Sequence, residues 1–346
     1  MNVITQFLYN VLAGINSLVG NYGVAIIIFT ILMRTLCMPF DYRSRKGMQK
    51  MSAIQPKLAE LQKKYANDKQ KFQQKQAELM RKEGYNPLSG CLPMLLTWPL
   101  MIAMFAAMRA IANEQLAMQT FTSLAGEEPI ITAAERFLWV KNIWMTDSLF
   151  APIAPDAQAL QVIPLDAWQK AYNLLTEAKL DAVLQSLGGK ALEFTSQESM
   201  QTSVTAIMEA LQKIPAYTSA VETMPGWSGL NFFLFSITVY KQFNGLLILP
   251  ILAGVTQILQ TKFNPQMQTQ QVPSAEGQNN GMSNFMKYFF PLLSVFFCLT
   301  SNAGFSVYWV TSTCYMWVQS IIITKILEKK DAKKNKQSVT GEGSVK

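Results

Sequence analysis

The residue best placed to do chemistry in this chain is a single charge in an apolar run. Arg34 stands inside "AIIIFTILMRTLCMPF", Ala25 to Phe40, and is the first charged residue of any kind from the N-terminus. A guanidinium held in hydrocarbon costs from about 3 kcal/mol upward, so such a residue either snorkels to the headgroups or faces a wet cavity or a partner. Snorkelling is within reach, since six residues separate Arg34 from Phe40, about 9 Å of helix. Thr30 lies one turn earlier and shares the face. The other apolar runs bring neutral polar groups, among them Thr97, Thr256, Gln257, Gln260, Ser306, Ser312, Thr313, Gln319 and Ser320, and no acid. Asp41, seven residues on, is the only nearby carboxylate. A lone cation among amides and hydroxyls attracts a transient anion but supplies no acid–base pair.

The chain has no histidine, which removes Ser-His and Cys-His nucleophilic pairs, imidazole proton relays and most zinc chemistry. Its four cysteines are scattered through apolar runs without CxxC spacing and read as small buried hydrophobes. No P-loop pattern occurs, and no Asp falls within an apolar span, which argues against an intramembrane protease. The expectation is a protein that is not an enzyme, with no cofactor and no metal.

What must position Arg34 follows from hydropathy and charge. Of 346 residues half are hydrophobic and 15% charged, with a positive mean hydropathy. The net charge of +8 is segregated. Residues Tyr42–Asn86 carry 12 Lys/Arg against 4 Asp/Glu, Ala112–Leu230 carry 6 against 13, and the segment from Lys325 carries 7 Lys against 3 acids. Four runs reach the length of about 20 residues that a span needs: Tyr22–Phe40, Gly84–Met108, Gln242–Thr261 and Tyr288–Thr324. The last, at 37 residues, is far longer than a hydrocarbon core of about 30 Å requires and should fold back at Thr300–Gly304. The count is five spans in an all-α polytopic membrane protein.

Basic loops stay inside, so the two basic blocks should be cytoplasmic, the acidic region and the N-terminus outside, and the tail inside. The expected organisation is an interfacial amphipathic helix over 1–20, a first span at 21–41, a cytoplasmic helical hairpin at 42–86 and a second span at 87–111. An extracytoplasmic region at 112–241 follows, then a third span at 242–262, a cytoplasmic loop at 263–284, spans at 285–301 and 304–326, and a basic tail at 327–346. Residues 1–33 lack the basic start of a cleavable signal peptide. Ile4, Phe7, Leu8, Val11, Leu12 and Ile15 recur at helical spacing opposite Thr5, Gln6, Asn10 and Asn16. In the hairpin, Ile54, Leu58, Leu61 and Tyr65 form one stripe, and Ala66–Asp68 reads as the turn. Outside, one helix is expected from about Asp166 to Leu187 and another after Thr195, with Glu198 completing a capping box.

Several of these stretches resemble one family, the YidC/Oxa/Alb membrane protein insertases, in a bacterial YidC-like form. They are "NYGVAIIIFTILMRTLCMPF", "MSAIQPKLAELQKKYANDKQKFQQKQAELMRKEGYNPLSGCLPMLLTWPL", "FLWVKNI", "ILPILAGVTQILQTKFNP" and "MKYFFPLLSVFFCLTSNAGFSVYWVTS". The resemblance implies a five-helix core around a hydrophilic, positively charged groove open to cytoplasm and lipid. It places the groove arginine at Arg34 and its threonine at Thr30, with Gln260, Tyr308 and Trp309 as further groove positions. It implies nascent membrane proteins as substrates, membrane lipids and a ribosome contacted by the Lys-rich tail as partners, the Sec translocon as a further candidate, and no DNA. The setting would be a bacterial plasma membrane. The segment Phe150–Gly226 has no counterpart in the resemblance and reads as an insertion. The competing reading is an anion channel or small-solute transporter that uses Arg34 as its binding site.

Overall fold

In the computed structural model, residues 3–84, 87–126, 134–227, 229–232, 235–263 and 280–341 are described below. Their regular elements are helices and one short antiparallel pair: α1 (Val3–Val19), α2 (Tyr22–Lys64), α3 (Lys69–Lys82), α4 (Pro87–Leu124), α5 (Ala157–Gln161), α6 (Leu165–Asn173), α7 (Glu177–Ser186), α8 (Gln197–Leu211), α9 (Pro215–Ala220), β1 (Leu230–Phe232), β2 (Phe235–Ile237), α10 (Ile248–Phe263), α11 (Asn280–Thr300) and α12 (Ala303–Gly341). Leu230 pairs with Ile237 and Phe232 with Phe235. Tyr22–Gly47 within α2 is the one described stretch long and apolar enough to cross a membrane, while Val3–Val19 and Tyr288–Thr300 are shorter apolar helices.

The chain divides into two compact units. One comprises Met1–Phe29, Ile102–Ala253 and Val295–Trp309, the other Thr30–Met101, Gly254–Ser294 and Val310–Lys346. In the first, α1 buries Thr5 with Leu8 and Leu12, so Thr5 lies on the packed face and not, as the sequence pattern had it, on the wet one. α1 stops at Gly20, whose φ of +72° is left-handed. Asn21 Oδ1 then accepts the Val24 N–H at 3.1 Å, capping the start of α2. A Cβ at Gly23 would come within 2.0 Å of the Phe137 ring, so only glycine admits the "FLWVKNI" turn beside α2. Between α11 and α12, Asn302 Oδ1 accepts the Phe305 N–H at 2.8 Å, and the Ala303 and Gly304 N–H groups donate to the carbonyls of Met145 and Ile143.

The acidic region has a core of its own. Trp168 is fully buried and stacks on Phe194 with ring centroids 5.8 Å apart, and Phe121 of α4 lies edge-on to Trp168 at 5.5 Å. The long helix expected over Asp166–Leu187 is two helices, because Thr176 caps a new start at Glu177. The following helix has Ser196 as its N-cap, boxed with Ser199 and not Glu198. A serine hydroxyl is short enough to close that box one residue later than the pattern indicated.

In the second unit α2 runs on unbroken from its apolar half to Lys64. The chain turns at Tyr65–Asp68, and Asp68 caps α3 by accepting the Lys71 N–H at 3.0 Å. Lys57 Nζ meets Glu83 Oε1 at 2.6 Å across the turn. Ile54 and Leu58 are buried, whereas α3 buries nothing. Among the cysteines, Cys298 is buried as expected, Cys37 half-buried and Cys314 exposed; the Cys91 side chain is outside the described ones.

Candidate functional site

Arg34 lies in the second unit, half-buried on α2, and its partner is a hydroxyl. Its Nε donates to Ser312 Oγ of α12 at 2.8 Å, and Nη2 donates to the same oxygen. Among the described residues no carboxylate pairs with it; Asp41, the acid nearest in sequence, instead accepts the Gln319 Nε2 at 3.1 Å. Thr30, one turn before Arg34, is fully buried.

The Arg34–Ser312 contact is one rung of a ladder. Thr35 Oγ1 donates to the Ile31 carbonyl at 2.7 Å, so Tyr315 must be the donor in the 2.8 Å contact between the Tyr315 and Thr35 hydroxyls. Arg45 Nη1 reaches Ser320 Oγ, Gln49 Nε2 reaches Asp331, and Lys330 Nζ reaches the Tyr42 hydroxyl. Apart from Lys330, whose long side chain reaches back to Tyr42, the numbers rise together on both helices from Arg34–Ser312 to Gln49–Asp331, so α2 and α12 run parallel here. Arg34 and Asp41 are seven residues apart, as are Ser312 and Gln319, the repeat that keeps two slightly crossed helices facing each other. Ser312, Thr313, Gln319 and Ser320 are all buried, a polar stripe along α12.

Gln260 of α10 also belongs to this unit. It is buried, its Nε2 sits 3.9 Å from Met316 Sδ, and its Oε1 accepts no hydrogen bond among the described residues. Tyr308 and Trp309 fall in the first unit, where Phe305 packs on both rings, at 6.1 Å from Tyr308 and 5.5 Å from Trp309. The structure therefore groups Thr30, Arg34 and Gln260 in one unit with Ser312, and Tyr308 with Trp309 in the other. Arg45 and Tyr315 were not singled out as site residues from sequence, and Asp41 was noted only as the carboxylate nearest Arg34. The signal was there: Asp41 follows Arg34 by seven residues, as Gln319 follows Ser312 on α12, and Arg45 comes four residues after Asp41.

The first unit holds a second set of buried polar side chains. Asn142 and Asn244 are both fully buried, and the Asn244 side chain holds both backbone groups of Asn142: the Asn142 N–H donates to Asn244 Oδ1 at 2.7 Å and Asn244 Nδ2 donates to the Asn142 carbonyl at 2.9 Å. Asp147, also fully buried, accepts the Leu246 and Leu249 N–H groups at 2.8 and 2.7 Å and the Trp139 indole at 3.1 Å. A carboxylate here supplies the acceptor that the first turn of α10 lacks and suits the positive helix end. The chain from Asn244 to Leu246 is thus bound to this network, and α10 begins only at Ile248. Elsewhere in the unit, Lys170 of α6 donates to Tyr9 of α1 at 2.7 Å and to Glu114 of α4 at 2.9 Å. Partial burial opposes the Lys170 charge, but the bonds to Glu114 and Tyr9 outweigh it and hold the ammonium above its ordinary value.

A largely helical chain with one membrane-length apolar helix among the described residues, and a charge set within it, is consistent with a membrane protein. The profile of the family described as 60Kd inner membrane protein matches residues 14–331, and the chain belongs to this family, the YidC/Oxa/Alb group that its quoted stretches resemble. A "Membrane protein insertase YidC" of Fusobacterium nucleatum subsp. nucleatum is 36% identical over 140 residues, 40% of this chain and 60% of that protein. The protein of the same name from Oceanobacillus iheyensis is 38% identical over 155 residues, 42% and 62% respectively. That of Chlorobaculum parvum is 38% identical over 134 residues, 39% of this chain but 20% of its own length. The matches thus span less than two thirds of these relatives.

Proposed function

We propose that this chain is a membrane protein insertase, as the relatives' shared name suggests, and that it acts without nucleotide, metal or catalytic residue. A short polar segment of an incoming chain rests transiently beside Arg34, and its apolar helix leaves along the exposed apolar faces into lipid. Moving polar backbone through hydrocarbon is otherwise heavily penalised, and a hydrated groove lowers that barrier. The observation that carries the reading is Arg34 half-buried in an apolar helix and bonded only to a hydroxyl among the described residues. A charge compensated by an acid would be structural; one compensated by Ser312 remains available to an anionic segment. The unpartnered Gln260 Oε1 favours a hydrated interior.

The parallel rungs of α2 and α12 support five spans. Two spanning helices that run the same way need an odd number of crossings between them, and the apolar runs at 87–111, 242–262 and 285–301 supply three. With the basic blocks inside, the N-terminus lies outside and the tail inside. In this arrangement α3 and the second half of α2 form a cytoplasmic hairpin, α1 lies in the outer interface, and Tyr308 and Trp309 line the apolar exit. The partners are nascent membrane proteins, lipid, a ribosome met by the Lys-rich tail, and the Sec translocon for a subset of substrates.

Neutralising Arg34 and following both insertion of a single-span substrate and anion flux tests the proposal. Insertion should fall, most for substrates with acidic outer tails. Reduced anion flux with insertion untouched in a depleted strain would replace the insertase with a channel.

A further inference from the structure

On α2, Thr35, Met38, Pro39, Tyr42, Arg43 and Lys46 line an open depression of about 530 Å³, which borders the α12 contacts through Thr35 and Tyr42. Pro39 has no N–H to return to the Thr35 carbonyl, and its ring replaces a longer side chain, so the face is recessed there. The lining divides by chemistry. Met38, Pro39 and the Tyr42 ring are apolar, and Arg43 and Lys46 stand at the end nearer the basic block. Toward the other end the same face continues through Ile31 and Leu32, each 45% exposed. Leu32 to Arg43 is eleven residues, about 16 Å of helix, close to one leaflet of a hydrocarbon core about 30 Å thick.

The two cations are not cancelled. Neither Arg43 nor Lys46 makes an ion pair among the described residues, and the nearby acids are engaged elsewhere, Asp41 by Gln319 and Asp331 by Gln49. Lys330 adds a third positive charge, its Nζ 2.9 Å from the Tyr42 hydroxyl and 5.1 Å above the ring centroid. An apolar track that ends in three uncancelled cations around a tyrosine fits an amphiphile with an anionic phosphate head. A soluble anion or a nucleic acid has no use for the apolar half.

We propose that this depression holds an anionic phospholipid of the inner leaflet, its phosphate on Arg43, Lys46 and Lys330 and its acyl chain along Met38, Pro39, Leu32 and Ile31. The site rests on the reading that α2 spans with Lys64 inside. The lipid would fix the depth of α2 and keep the cationic collar of the basic block at the membrane surface.

The test uses the full chain carrying Met38→p-benzoylphenylalanine, reconstituted in vesicles of phosphatidylcholine with a minor fraction of phosphatidylglycerol. Each cation near an anionic surface is worth about a fivefold preference before salt screening. Photolabelling of phosphatidylglycerol should therefore exceed its mole fraction at least severalfold. Arg43→Gln with Lys46→Gln should bring labelling down to the mole fraction, while Arg43→Lys with Lys46→Arg retains the excess. Equal labelling of both lipids per mole in the unsubstituted background overturns the site, as does loss of the excess labelling when inorganic phosphate or RNA is added before irradiation. Thiol accessibility of Lys46→Cys from outside intact cells reports the failure of the spanning reading separately from the lipid result.

Discussion

A double-mutant cycle between Arg34 and Ser312 tests the central contact most directly. Ser312 Oγ accepts from both Nε and Nη2 of one guanidinium, and Ser312 is only 3% exposed. A hydrogen bond to a charged group contributes about 1.5–3 kcal/mol. One oxygen serves both donors and Arg34 is half-buried, so the pair is worth about 2 kcal/mol, roughly 30-fold in an equilibrium constant. In Ser312→Ala the guanidinium swings toward water and recovers part of this, which leaves a cost of about 1–2 kcal/mol. In Arg34→Ala the serine turns its hydroxyl to its own helix backbone, so that variant loses little stability while losing the charge. The coupling read from reversible unfolding in mixed micelles should be about 1 kcal/mol or more. Insertion of a single-span substrate separates the roles: Arg34→Ala should impair it more than Ser312→Ala, because only the former removes the charge. Additivity of the two substitutions to within about 0.3–0.5 kcal/mol would refute the contact.

Three other outcomes follow from the first unit. Glu135 accepts the Tyr22 N–H, and burial raises its carboxyl above the ordinary 4.5 despite that bond. Its folded state holds the proton longer, so stability falls as pH rises from the ordinary value through the raised one; Glu135→Gln should flatten that slope in thermal melts, and an unchanged slope counts against the assignment. Gly245→Ala places a Cβ 1.9 Å from Asp147 Oδ1, which breaks the cap on α10 and should cost about 2–4 kcal/mol; a melting temperature equal to the parent's would contradict the packing. Trp168→Ala removes a fully buried ring stacked on Phe194 and should cost about 3–5 kcal/mol, read from the same melts.

Much of this was legible before any coordinates. The apolar runs, the charge segregation and the quoted stretches gave the helical class and the family, because both rest on patterns repeated over tens of residues. Arg34 was conspicuous for the same reason: a single charge against a uniform background. Its partner was not, since Ser312 is one of many neutral polar residues and only tertiary register selects it. The Asn142–Asn244 pair and Asp147 were missed because each serves a backbone group more than ninety residues away. Local capping was misread by one residue where Thr195, Ser196, Glu198 and Ser199 compete within five positions, and hydroxyl geometry decides among them.

The acidic insertion is better understood as a continuation of α4 than as a tethered domain. α4 has 38 residues, about 57 Å of helix where a span needs about 30 Å. Its last turns carry Gln119, which accepts from the buried Asn142 amide at 2.9 Å, and Phe121, which lies against Trp168, Tyr172 and Phe194. The insertion's buried residues, among them Trp168, Ile207 and Leu211, thus share their core with Phe121 of α4. Deleting Pro152–Pro225 should then leave Phe121, now fully buried, facing water. Burial of such a side chain is worth about 1.5–3 kcal/mol, so the deletion should aggregate in detergent and melt early. Adding Phe121→Gln to the deletion should restore a monodisperse protein without restoring the melting temperature. A simple deletion that melts like the full chain would show that the two do not share a core. If the repaired deletion also inserts single-span substrates normally, the insertion's role is accessory and the insertase activity resides in the rest of the chain.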